Sequence, residues 1–538
     1  MNIENNGIFS RRTVLQSIAA ATPLIAVGCA SAQAGAAFGG GSDPVVQTQY
    51  GPVMGSRQNN VYTFKGIRYG ADTSQTRFAK PNPPAEWKTI LPAHEYGAAA
   101  PQKNQNLKQS EDCLFLNVWT PDVSGRAKRP VMVYLHGGAY NTGSGSDELY
   151  DGTNLVTKGD VVVITINHRL NAFGYLSLTN LMGGSYLDSG NAGQWDIVLA
   201  LEWVKANITA FGGDPDRVML FGQSGGGAKI ATLMATPAAK GLFHSAATMS
   251  GQQVTASGPI NAEKRARAYL QNVGVGVGDV EALAALSTER LVEGIQSQDP
   301  IDPEKGLYFG PVLDERMLTR HPFWPDAPSQ SSHIPMILGN AHDETRIFIG
   351  RKSPETFDMS WEDLPKWLPK HMRCDISADE VVRVYRKAYP DYSATDVFYA
   401  ATTAGRSWRG QVEEADVRAK EKGPTWVYQF DLGSPDDGGK WGATHTIDIA
   451  AAFNNLDKEG AFLGQGPDAV RVADQLSSSF IALARNGTPN SDNLPEWSRY
   501  EVPERNTMVF GKTTELVSDP RKVERELFAK VPFIQWGS

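Results

Sequence analysis

Short runs of β-branched and other apolar residues recur along the chain, and each ends at a glycine or a polar residue. Val131-Met132-Val133-Tyr134-Leu135 runs into His136-Gly137-Gly138, and Val161 to Ile166 ends at Asn167. Val218-Met219-Leu220-Phe221 ends in Gly222, and Ala246-Ala247-Thr248-Met249 ends in Ser250-Gly251. Pro335-Met336-Ile337-Leu338 ends in Gly339-Asn340, and Thr425 to Phe430 ends in Asp431. Runs that are apolar at successive positions suit strands buried on both faces of a mostly parallel sheet. Helical periodicity lies between them, most clearly from Asn191 to Ile208, where Trp195, Val198, Leu199 and Trp203 share one stripe. That stripe is expected to face the core. Strands alternating with helices predict an α/β sheet whose chemistry sits at the carboxyl ends of the strands. The stretches 259–330 and 351–423 break the rhythm and read as helical insertions that form a cap over a cleft. No linker divides the chain between residues 49 and 538.

The first 34 residues read differently. A polar start leads to Ser10-Arg11-Arg12-Thr13-Val14-Leu15, then a weakly apolar stretch, then Ala30-Ser31-Ala32-Gln33-Ala34 with small residues spaced for a signal peptidase. The arginine pair resembles a twin-arginine signal, so residues 1–34 are expected to direct export to the periplasm or beyond, with a Gly/Ala-rich linker over 35–48. Cys29 is an alternative lipid-attachment site with a poor match around it. The apolar stretch is too short and too interrupted for a stable transmembrane helix.

Composition narrows the function. Of 538 residues 41% are hydrophobic and 20% charged, as in soluble globular proteins. A formal net charge of −8 argues against nucleic acid as a partner, since phosphate binding needs clustered Lys and Arg. Cys29, Cys113 and Cys374 are the three cysteines, and no CxxC pair suggests a metal site. A Cys113–Cys374 disulfide stays open at this point.

Gly222-Gln223-Ser224-Gly225-Gly226 is the one GxSxG in the chain. It follows the apolar run Val218–Phe221 and precedes Ala228 to Met234, a helical segment. That is the strand–turn–helix context of a nucleophile elbow. The glycines allow a strained serine backbone and close neighbouring chains. The helix start offers N–H groups and a positive dipole end to a developing oxyanion. A serine hydroxyl is a poor nucleophile at neutral pH, so it requires a base and an orienting carboxylate.

The segment from Phe211 to Gly226 (FGGDPDRVMLFGQSGG) resembles the active-serine signature of type-B carboxylesterases, the family of cholinesterases and bacterial p-nitrobenzyl esterases. A second signature resembles Glu111 to Pro121 (EDCLFLNVWTP), with Phe115 a mild departure. The resemblance runs from Gly51 to the His445 region. It implies an α/β-hydrolase fold with Ser224 as nucleophile. Among nine histidines, His445 stands in Gly442-Ala443-Thr444-His445-Thr446-Ile447-Asp448, after the run Thr425–Phe430, where this fold carries its base. Glu344, in Gly339-Asn340-Ala341-His342-Asp343-Glu344-Thr345, matches the family's acid, with Thr345 in place of the usual glycine and Asp343 as an adjacent rival. Asp448 lies too close to His445 in sequence to reach the far imidazole nitrogen. His136-Gly137-Gly138-Ala139 resembles the family's oxyanion loop, which implies the backbone N–H groups of Gly138, Ala139 and Gly225 as donors.

The resemblance therefore implies a carboxylic-ester hydrolase working through an acyl-enzyme on a small-molecule ester, with neither metal nor organic cofactor. Amide, carbamate and lactone hydrolysis use the same machinery and stay open. A non-catalytic binding module of the same fold is the remaining alternative. Gln223 stands where cholinesterases carry a glutamate, which weakens any case for a choline-like cation. Tyr140, Trp408, Trp441 and Phe453 are candidates either for lining the cleft or for the core.

Overall fold

The computed structural model describes residues 43–103 and 106–538. The expected export signal at 1–34, with Arg11, Arg12 and Cys29, lies outside the described residues, as does most of the linker. Pro44 to Ser538 form one compact unit.

Its centre is an eleven-stranded sheet. In chain order the strands are β1 (Ser56–Gln58), β2 (Val61–Arg68), β3 (Phe115–Thr120), β4 (Arg129–Leu135), β5 (Val162–Ile166), β6 (Gly213–Gln223), β7 (Ser245–Met249), β8 (Met336–Ala341), β9 (Thr425–Phe430), β10 (Asn506–Phe510) and β11 (Thr514–Ser518). Their spatial order is β11-β10-β9-β8-β7-β6-β4-β5-β3-β2-β1. All neighbours from β5 across to β10 are parallel, and antiparallel pairs close both edges. A short separate sheet joins Val45–Gln47, Pro52–Met54 and Leu91–Pro92.

The unbroken apolar runs follow from burial on both faces. Along β4, Val131, Val133 and Leu135 enter one apolar layer, while Met132 and Tyr134 enter the other. Helix α1 (Ala192–Asn207) covers the first layer with Ile197, Val198, Leu201 and Trp203; of the expected stripe Val198, Leu199 and Trp203 are core, while Trp195 is partly buried against it. Arg169, just past β5, clamps α1 through Asp196. Its Nη2 lies 2.6 Å from Oδ1, and its backbone N–H donates to Oδ2 over 2.9 Å. Both side chains are buried. The second layer is covered by the helix Pro467–Asn486, which buries Val472, Leu476, Phe480 and Leu483 at helical spacing. Pro467 opens it at the first helical position and Gly487 ends it in the left-handed region, φ 71°. Each such side chain taken out of water contributes about 1.5–3 kcal/mol.

The two insertions differ. Residues 351–423 are helical, with Leu364–His371, Ala378–Ala388, Ala394–Thr403, a π-helical turn at Ala404–Trp408 and Arg409–Lys420. Residues 259–330 begin with three helices, Pro259–Val273, Val280–Ala285 and Thr288–Gly294. From 295 to 328 the chain has neither helix nor strand beyond isolated bridges. Each insertion gathers its own apolar cluster, one around Tyr269 and Leu270, the other around Leu368 and Phe398. Cys113 and Cys374 are both free, which closes the question of a disulfide between them.

Candidate active site

β4 and β6 are neighbours in the sheet, but the chain leaves them in opposite directions along it. A crevice opens at such a switch point, at the carboxyl ends of the strands. The loops that follow these two strands carry the serine and the glycine-rich segment. Their register is tight, with Leu135 opposite Gly222.

Ser224 follows β6 and caps α2 (Gly225–Met234) with φ 54° and ψ −122°, a backbone conformation that L-residues rarely adopt. Two hydrogen bonds hold it: its N–H donates to Met249 O over 2.7 Å, and its carbonyl accepts from Ala228 N–H over 3.0 Å. Gly226 must be glycine here, because a Cβ at that position would fall 1.9 Å from the Leu135 carbonyl oxygen. The glycine therefore allows α2 to start directly against the end of β4. Gly138 (φ 87°) and Ala139 (φ 54°) turn the loop after β4 back over Ser224. Gly138, Ala139, Gly225, Ser224 and His445 line one cavity of about 460 Å³.

Glu344 lies just beyond β8 and is fully buried. Its Oε1 accepts from Ala341 N–H and from Asn340 Nδ2, each at 2.9 Å. Its Oε2 meets His445 Nδ1 in a short contact. Asp343, the adjacent rival, faces elsewhere. It pairs with His342 and Arg346 and accepts from Ala443 N–H at 3.0 Å. Burial raises its carboxyl, but the contact with His342 and these further partners outweigh burial and hold it well below the usual carboxylate range. Asp448 is also turned away, accepting from Tyr428 OH at 2.7 Å, and burial pushes it up to about 6.

The other imidazole nitrogen of His445, Nε2, stands 3.1 Å from the Gln223 amide nitrogen. An amide N–H donated there requires a lone pair on Nε2, which agrees with a proton on Nδ1 directed at Glu344. Among the described residues Ser224 Oγ makes no hydrogen bond. The pairing of Gln223 with His445 was not foreseen from sequence.

Lys229 was also not singled out. It interrupts the apolar stretch Ala228–Met234 with a charge, and it is fully buried. Its Nζ donates to the Ala139 carbonyl at 2.7 Å and lies 5.0 Å from the Tyr140 ring centroid. Burial lowers the ammonium to about 7. Behind it His136 and His168 stack 4.9 Å apart. Burial and then the Lys229 charge bring His136 down to about 3, so it stays neutral and structural. Of the aromatic candidates, Tyr140 both lines the cavity and belongs to an apolar cluster, Phe453 and Trp408 belong to apolar clusters, and Trp441 packs on Phe357. Arg373 and Arg406, both from the second insertion, also face the cavity. Among the described residues no group of three or more His, Cys, Asp or Glu could hold a metal ion, and no helix is long and apolar enough to cross a membrane.

Comparison with known proteins agrees in extent with this unit. The model of the carboxylesterase family matches residues 42–529. The para-nitrobenzyl esterase of Bacillus subtilis (strain 168) is 34% identical over 501 residues, covering 90% of this chain and 98% of the relative. The phenmedipham hydrolase of Pseudarthrobacter oxydans is 32% identical over 493 residues, covering 87% of this chain and 95% of the relative. A crystal structure of a carboxylesterase from Geobacillus stearothermophilus superposes with a TM-score of 0.81 at 33% identity, covering 90% of this chain and 99% of that one.

Proposed function

Since the chain belongs to the carboxylesterase family and is a serine carboxylesterase, we propose that it cleaves its ester through an acyl-enzyme on Ser224, with His445 as base and Glu344 as the orienting acid. The observation that carries this is the buried Glu344–His445 contact opening onto the cavity that holds Ser224. In the free enzyme the Nε2 lone pair is engaged by Gln223. When an ester enters, the Gln223 amide yields that lone pair to the Ser224 hydroxyl. His445 takes the proton as Oγ attacks the carbonyl carbon. The N–H groups of Gly138, Ala139 and Gly225 receive the oxyanion, and each such donor contributes about 10²–10³ in rate. Glu344 holds the imidazole and stabilises its cation. The alcohol leaves with the proton from Nε2, and water then attacks the acyl-enzyme by the same route.

Support comes from the strained Ser224 backbone, from Lys229 pinning the Ala139 carbonyl, and from relatives named for ester hydrolysis. Because amides and carbamates react through the same intermediate, matched p-nitrophenyl butyrate and p-nitrobutyranilide separate the bond classes. We expect the ester to turn over much faster, and Ser224→Ala to abolish turnover in folded protein. Retained turnover in that variant would overturn the assignment.

We also propose that the chain is exported already folded, on the Arg11-Arg12 signal. A protein whose described cysteines are free needs no oxidising compartment to fold. Arg11→Lys combined with Arg12→Lys should leave the enzyme in the cytoplasmic fraction. Unchanged export would rule this route out.

A further inference from the structure

Two guanidinium groups open into the cavity that holds Ser224 and His445. Arg373 follows the helix Leu364–His371, and Arg406 sits in the π-helical turn Ala404–Trp408, an irregularity often found at functional sites. Among the described residues neither side chain has a hydrogen bond or a salt bridge, and the one carboxylate whose charge acts on Arg406, that of Glu344, is already engaged by His445. Elsewhere in the same fold Arg169, Arg265 and Arg521 each meet a carboxylate. Both are only partly buried and face one cavity, where two like charges repel. Burial and then the like charge of Arg406 hold Arg373 down to about 9.

Aromatic rings place both groups. The Arg406 guanidinium lies 4.7 Å from the Phe348 ring centroid, and Arg373 lies 5.6 Å from that of Trp536. Stacking of this kind fixes the guanidinium while leaving N–H donors free for an anion. The Phe348 ring is in turn 4.5 Å from the His445 imidazole. Arg406 is thus one ring away from the base, within the reach of a small ester bound for attack by Ser224.

We propose that Arg373 and Arg406 form a carboxylate-binding subsite of the cleft, so that the esters this protein prefers carry a free carboxylate besides the scissile bond. This rests on the serine-esterase reading above. A carboxylate presents two oxygens to guanidinium donors, supplies a countercharge in direct contact and relieves the repulsion between the arginines. The chain carries a formal net charge of −8, so the positive character is local to this cleft rather than a property of the whole surface. The carboxylate can belong to the acyl part, as in a half-ester of a dicarboxylic acid, or to the alcohol part.

Two substrate pairs distinguish these sources: mono-p-nitrophenyl glutarate against p-nitrophenyl valerate, and 4-acetoxybenzoate against phenyl acetate. For each pair the ratio of kcat/KM, anionic over neutral, is measured in the full-length enzyme and in Arg373→Gln, Arg406→Gln and the double variant. Taking the ratio removes any general effect of a substitution on the chemistry. The double variant should lower the ratio by about 10–100-fold in one pair, the worth of one or two charge-assisted contacts. The corresponding lysine variants should recover part of it. A ratio within about threefold of wild type in both pairs would overturn the subsite. Calorimetry with glutarate alone decides the matter if neither neutral ester turns over through Ser224, the result that would instead sink the esterase reading. The subsite then requires glutarate to bind wild type at least about tenfold more tightly than the double variant, and equal binding refutes it.

Discussion

Replacing Glu344 by glutamine removes one charge and changes little in volume, but the surrounding hydrogen bonds give it a directional effect. Oε1 already accepts from two donors, Ala341 N–H and Asn340 Nδ2, both at 2.9 Å. The Ala341 group can only donate, so the amide oxygen of the variant must stay on that side. The amide NH₂ then points at His445 Nδ1, where the native carboxylate stood. Two N–H groups cannot face each other, so the imidazole moves its proton to Nε2 and accepts through Nδ1. An imidazole protonated at Nε2 cannot take the Ser224 proton. Restoring the productive tautomer leaves buried donors opposed, which costs about 1–3 kcal/mol. The imidazolium formed during attack also loses a charged partner, about 1.5–3 kcal/mol more. Together these give roughly 2.5–6 kcal/mol, or a fall in kcat of about 10²–10⁴-fold. The assay is p-nitrophenyl butyrate turnover at saturating substrate, with melting followed in parallel to show that the variant is folded. Asp343→Asn serves as the comparison, and its kcat should exceed that of Glu344→Gln by about 10²-fold or more. A fall of less than about tenfold in folded Glu344→Gln, or a larger loss in Asp343→Asn, would show that Glu344 does not orient the imidazole.

Three further outcomes follow from other contacts. Lys229→Met removes the donor that ties the Ala139 carbonyl to α2, so kcat should fall by about tenfold with KM changing less, while an unchanged kcat would dismiss Lys229 as a positioning residue. Arg169→Met leaves Asp196 buried without its partner and should lower unfolding stability in urea by about 3–5 kcal/mol, whereas a loss under 1 kcal/mol would contradict the clamp. Burial raises the Glu414 carboxyl to about 8; the folded state therefore keeps this proton after the unfolded chain has released it, and stability is lost as pH rises from the ordinary carboxylate range through about 8. Glu414→Gln should accordingly gain in melting temperature over wild type from pH 5 to pH 8, and a gap that stays constant or narrows would disprove that sign.

The parts legible in sequence were those where one physical requirement dominates a short window. Strands buried on both faces are apolar along most of their length, so Val131–Leu135 and Thr425–Phe430 stand out in the sequence; the first lies within β4 and the second is β9. The α1 stripe is legible for the same reason, since Val198 and Trp203 pack where its period directs them. The choice of Glu344 over Asp343 came from the family resemblance and not from any local pattern. Two adjacent carboxylates differ only in which way the chain turns after β8, and that depends on the donors at Asn340 and Ala341. The cleft walls were opaque for another reason. Arg373 and Arg406 come from an insertion with no strand pattern, and Trp536, which stacks on Arg373, is far away in sequence. Lys229 left a faint signal, a single cation inside an apolar helical run. The irregular segment 295–328 left none, because a chain that follows neither period carries no periodic mark.

Covalent capture of the nucleophile tests the role of Ser224 most directly. The full-length enzyme is treated with an alkyl fluorophosphonate and examined by intact-protein mass spectrometry and peptide mapping. One adduct per chain is expected, located on Ser224, with complete loss of p-nitrophenyl butyrate turnover and no adduct in folded Ser224→Ala. An adduct on another residue, or labelling that persists in Ser224→Ala, would contradict that role.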